Sequence, residues 1–148
     1  MTTFTQRVML LALAATGAVT GPWAAFAPQS FYDSFPGFGR HWIDVDGPYN
    51  EHLIRDVGAI YLALFVVNLI AAVSLERMAV LIAAATTFTF SSLHFSYHVH
   101  HLGTYDATDA VLNMVALGGS LALSALLLIP AKDASASRAP RRQDSEPR

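Results

Sequence analysis

The stretch VLIAAATTFTFSSLHFSY, residues 80–97, decides the fold. It contains no Asp, Glu, Lys or Arg, and it approaches the roughly 20 residues that a helix needs to cross the hydrocarbon core of a bilayer. Three further runs are as apolar: Val8 to Phe26 and Val57 to Leu75, both without charge, and Thr108 to Ile129, whose one charge, Asp109, lies at its start. Apolar residues make up 53% of the chain and charged residues only 14%, whereas a soluble domain carries about 25% charged residues. The expectation is an all-α integral membrane four-helix bundle in one domain, residues 1–130, with helices at about 8–27, 53–75, 79–99 and 107–129. A small soluble helical protein with a very apolar core is the competing class, and four long runs with almost no charge argue against it. Residues 131–148 are rich in Ser, Pro, Asp and Arg and predict a disordered cytoplasmic tail.

The first run also has the marks of a secretory leader. Arg7 precedes VMLLALAATGAV, and Ala25-Phe26-Ala27 offers small residues for cleavage. Pro28 follows at once and disfavours cleavage, and the run is long enough to span by itself. There is no cysteine, which removes disulfides, thiolate metal ligands and cysteine nucleophiles.

Basic residues set the orientation, because Lys and Arg collect on cytoplasmic loops. Arg7 lies before the first run, Arg77 lies between the second and third, and Lys132, Arg138, Arg141, Arg142 and Arg148 follow the fourth. Residues 28–56 hold only Arg40 and Arg55 against Asp33, Asp44, Asp46, Glu51 and Asp56. The expectation is a multi-pass protein of the cell membrane with both termini cytoplasmic. All six histidines, His41, His52, His94, His98, His100 and His101, then fall at or beside the extracytoplasmic side.

The loop between the first two runs, QSFYDSFPGFGRHWIDVDGPYN, is aromatic and broken by Pro36-Gly37 and Gly47-Pro48. Aromatic rings mixed with polar groups suit the headgroup layer. It is expected to cap the outer end of the bundle with one short interfacial helix; an exposed loop anchored by its rings is the alternative. Asn50 and Asp106 are placed to cap the helices that follow them. Gly17, Gly21, Gly58, Gly118 and Gly119, with Ala83-Ala84-Ala85, permit close helix approach in lipid. Asn68 and Asn113 need partners at membrane depth and are expected to face inward, where plain helix-to-helix hydrogen bonding would account for them.

Thr87, Ser91, His94, His98 and His101 recur at spacings of four, three, four and three, so they share one face of the third helix. Polar faces of membrane helices point to the interior or to a water-filled cavity. On the second helix His52 and Asp56 share a face, and Glu51 and Arg55 form a pair one turn apart. A histidine of one helix beside a carboxylate of the other is the expected site. His94, His98 and Asp56 are the candidate catalytic groups, with His52, Glu51, Arg55, Ser91 and Trp42 as substrate-binding candidates.

Several functions fit this pattern. The leading one is a pocket for a lipid-like or quinone-like molecule in contact with membrane lipids, where imidazole can move protons near neutral pH. His94, His98, His101, His52 and Glu51 could instead hold a divalent metal, since imidazole and carboxylate suit zinc, copper or iron. Haem held by His94 or His98 is a further alternative. The bland reading is a structural subunit, self-associating or serving a membrane partner, whose histidines make interior hydrogen bonds. No HExxH is present, so a zinc protease is excluded, and no basic patch with aromatics outside the tail suggests nucleic acid.

EHLIRDVGAIYLALFVV, with its Arg55-Asp56-Val57-Gly58 start to the second helix, resembles small four-helix bacterial membrane proteins of the DoxX-like type. Gly39 to Trp42 and Pro48 to His52 resemble stretches of a related uncharacterised actinobacterial family. The resemblance implies a four-helix bundle and, for some DoxX-like members, a role beside quinone-linked redox. It assigns no catalytic residue.

Overall fold

The computed structural model describes residues 1–129 and has an all-α fold. The expected tail, with its basic residues, lies outside the described residues. Four helices are long and apolar enough to cross a membrane: α1 (Thr3–Phe26), α3 (Glu51–Ser74), α4 (Arg77–His100) and α5 (Ala107–Leu128). A short helix, α2 (Pro28–Ser34), and a two-stranded turn, β1 (Pro36–Gly37) with β2 (Arg40–His41), fill the connection after α1. Short 3-10 turns occupy Asp44–Asp46 and Leu102–Thr104.

The helix boundaries follow local chemistry. Thr2, Asn50 and Asp106 each accept a hydrogen bond from the free amide three residues on, at 3.1, 3.1 and 2.8 Å, and so start α1, α3 and α5. α1 begins earlier than the apolar run because the Thr2 cap extends the helix through polar residues. Leu75 ends α3 in a left-handed conformation (φ 53°), and Arg77 opens α4 two residues later.

The four long helices form a ring in the order α1, α3, α4, α5. Its tightest seam joins α1 to α3, where glycine is obligatory. A methyl group on Gly17 would lie 2.6 Å from the Tyr61 carbonyl oxygen, and one on Gly58 would overlap the backbone of Ala25. Gly119 on α5 faces open space, so the same residue type does nothing comparable there.

Two separate apolar clusters hold the ring. Leu10, Leu13, Ala71, Ala72, Val80, Ala83 and Ala84 close the end where α3 turns into α4. Arg7 lies at this end and donates to the Ala72 carbonyl at 3.0 Å. At the opposite end Ala24, Phe31 and Ile54 are buried, with Trp23, Tyr32, Phe35, Ile43 and Tyr49 packed on them. This second cluster is the aromatic cap after α1. Its rings meet edge to face, as at Trp23–Phe31 (5.9 Å) and Phe35–Trp42 (6.0 Å). Outward faces remain apolar, with Val66, Ile70, Val73, Ile82, Leu93 and Val115 all exposed, as suits a chain whose solvent is lipid.

Candidate functional site

Beneath the second cluster, a cavity of about 460 Å³ separates the α1–α3 pair from α4 and α5. Phe31, Phe35 and Trp42 of the cap roof it, Ile54, Val57 and Tyr61 of α3 form one wall, and His94, His98 and Asn113 stand on α4 and α5. The volume is that of a small-molecule pocket. A deeper slot of about 20 Å³, the room one water needs, lies among Asn68, Thr87, Ser91 and His94.

The polar face of α4 turns inward over most of its length. Thr87, Ser91 and His98 are buried, and His94 is half-buried. His94 stacks on Phe90 (5.2 Å between ring centres) and meets His98 edge-on at 4.8 Å. The face ends there. α4 stops at His100, and His101 is exposed, stacked on Tyr97 at 4.1 Å with Nδ1 2.7 Å from the Tyr97 carbonyl. His100 likewise bonds back to the Ser96 carbonyl at 2.7 Å.

The expected pairing of α4 histidines with the start of α3 does not form. His52 and Asp56 do share a face, but it points away from the cavity: their side chains are 87% and 57% exposed, and they contact each other at 3.4 Å. Glu51 pairs with Arg55 at 2.8 Å, also at the surface, and Arg55 bonds the Ala25 carbonyl. The reason is steric. Ile54 and Gly58 must face inward because α1 approaches α3 through Gly58, and positions 52 and 56 lie about 200° around the helix from 54.

His98 finds its partners in the loops instead. The Tyr105 hydroxyl lies 3.2 Å from His98 Nδ1, 3.2 Å from the Trp42 carbonyl and 3.4 Å from Asp46 Oδ2. The tautomer with a proton on Nδ1 satisfies all of them: His98 donates to the phenol oxygen, and the phenol O–H is shared between the carbonyl and the carboxylate. Burial, and then the Asp46 carboxylate, push the Tyr105 hydroxyl above its usual pKa, so it remains a neutral donor.

A second clasp ties the cap to α5. Asp109 accepts from the Trp42 indole nitrogen at 2.9 Å and pairs with Arg40. Arg40 and Arg55, the two basic residues of the cap region, are thus both matched to carboxylates. Trp42 is buried and on the cavity roof, but its N–H is engaged by Asp109.

The five residues considered for a metal are therefore split between the cavity and two exposed surfaces. Among the described residues no three His, Asp or Glu side chains form a group that could hold a metal ion. Ser91 is buried beside the small slot and does not line the large cavity. Asn68 and Asn113 both face inward, with Asn68 Nδ2 donating to the Leu64 carbonyl and to Thr87 at 2.8 and 2.9 Å.

Asp46, Tyr105 and Asp109 join the site without having been candidates on sequence grounds. Tyr105 follows His98 across a helix end, where no periodicity connects them. Asp109 is hidden for another reason: three residues after Asp106 it reads as the second half of a capping pair, whereas its carboxylate turns to Trp42 and Arg40. Comparison with protein-family models, with curated proteins and with solved structures finds no match to this chain.

Proposed function

We propose that this protein is a multi-pass membrane protein that binds an amphiphilic small molecule in the cavity beneath its aromatic cap. One observation carries the reading: four membrane-length helices enclose a mostly apolar cavity of about 460 Å³ that also presents His94, His98 and Asn113. The end bearing Arg7 and Arg77 is assigned to the cytoplasm, and the cap with Asp33, Asp44 and Asp46 to the outside. An amphiphile reaches the cavity from the surrounding lipid. The role is binding, because the imidazole–carboxylate pair expected for acid–base work is not assembled across α3 and α4. An accessory role beside quinone-linked redox is the extension that the DoxX-like resemblance suggests.

A second reading is favoured by the same scattering of ionisable groups. With His52 and Asp56 outside the cavity and no metal-competent group among the described residues, the chain serves as a structural or partner subunit without its own chemistry.

Purification in mild detergent, followed by native mass spectrometry, elemental analysis and a visible spectrum, separates these readings. The expected result is a retained amphiphile that is lost when Val57→Trp fills the cavity, with helicity unchanged. Protein that carries no small molecule supports the structural subunit. Stoichiometric metal or a Soret band supports the metal or haem alternative.

A further inference from the structure

We infer that the cavity selects an uncharged amphiphile with a hydroxyl head group, aliphatic or phenolic, that docks on Asn113. This rests on the binding reading above and names its ligand class. Asn113 is 3% exposed, lines the cavity, and its Oδ1 has no hydrogen-bond partner among the described residues. An unpaired buried amide oxygen is costly and uncommon. Asn68 differs: its amide nitrogen is satisfied by protein, and its unpaired Oδ1 borders a slot of one water's volume. Asn113 instead borders a space of about 460 Å³, room for roughly fifteen water-sized groups. Its Oδ1 is enclosed, so the edge of the carboxamide that meets this space is the Nδ2 side, and no protein group fixes which way the amide is turned.

The charges on the wall narrow the head group further. Among the described residues no Lys or Arg lines the cavity. Arg40 is paired with Asp109 and Arg55 with Glu51, so an anionic head finds no free counter-charge there. A cationic head fares no better. The one carboxylate on the described wall, Asp46, is exposed and shares the Tyr105 hydroxyl, and the buried groups near the ligand are neutral. A hydroxyl meets both needs, because it accepts from the carboxamide N–H that meets the cavity, donates to the oxygen when the amide is turned over, and brings no charge out of water. Phe31, Phe35, Ile54 and Val57 supply the apolar surface for its tail.

Trp42 on the cavity roof provides the reporter. In a Trp23→Phe background reconstituted in lipid nanodiscs, Trp42 fluorescence is titrated with bromododecanol, bromododecanoate, bromododecyltrimethylammonium and bromododecane; unbrominated dodecanol and octylphenol then compete as the aliphatic and phenolic arms. The alcohol is expected to quench saturably and to bind roughly tenfold more tightly than the other three. Asn113→Leu is expected to erase that preference while leaving bromododecane unchanged. Equal quenching by all four probes, or preference for the acid or the ammonium, overturns the head-group inference and leaves the pocket standing. No saturable quenching by any probe overturns the pocket itself. The ranking in the Trp23→Phe background decides the matter even if Asn113→Leu does not fold.

Discussion

Where α3 turns into α4, Leu10, Leu13, Ala71, Ala83 and Ala84 fill the interior; at the opposite end α1 and α3 stay in backbone contact through Gly58, and a cavity of about 460 Å³ separates them from His94, His98 and Asn113 of α4 and α5. Both ends are built from apolar helices of similar length, so hydrophobicity does not distinguish them. Side-chain size does. Alanines let α4 close on α1 and α3 at one end, while Tyr61, His94 and the cap rings stand around the space at the other. Lipid is as apolar as the side chains, so the open end feels little drive to collapse, and close packing is what holds helices together. The cavity is sustained by the clasps across it, Asp109 with Arg40 and Trp42, and Tyr105 with His98 and Trp42.

The contrast breaks first at the α1–α3 seam. Gly17→Val is expected to cost about 3 kcal/mol, because the added Cβ has no space beside Tyr61, whereas Gly119→Val should stay within about 0.5 kcal/mol. Equilibrium unfolding in mixed detergent micelles measures both, and equal losses would mean that the glycine seam is not what fixes the bundle. Asp109→Ala comes next, a smaller loss read in the same unfolding measurement, since it strands the Trp42 N–H and the partly exposed Arg40. Hydrogen exchange should then rise in residues 36–46 while Ala83 and Ala84 at the closed end stay protected. Smallest is the pair His52→Ala with Asp56→Ala. Both are solvent- or headgroup-facing, and the expected change is below about 0.5 kcal/mol, with no loss of any retained amphiphile. Loss of the amphiphile in that double variant would restore the start of α3 to the site.

Much of the fold is legible in the order of residues alone. The four spans, the short helix in the cap, the capping roles of Asn50 and Asp106, and the inward turn of Thr87, Ser91, His98, Asn68 and Asn113 all follow from local rules. Half of the site does not. Helical spacing places the α4 histidines at the interior, but the partner of His98 is Tyr105, which in turn bonds Asp46 and the Trp42 carbonyl, rather than a residue of α3. The contacts of Tyr105 with Trp42 and Asp46 cross more than 50 residues of chain and leave no periodic signal.

The sequence by itself determined that there are four long apolar helices and that Thr87, Ser91, His98, Asn68 and Asn113 turn inward, because charges cannot enter hydrocarbon and a lone polar group there must find an interior partner. Only the tertiary structure decided which face of α3 looks inward. A helix that is apolar all round has no strong preference of its own, and the choice fell to the approach of α1 on Gly58, which carried His52 and Asp56 to the outside.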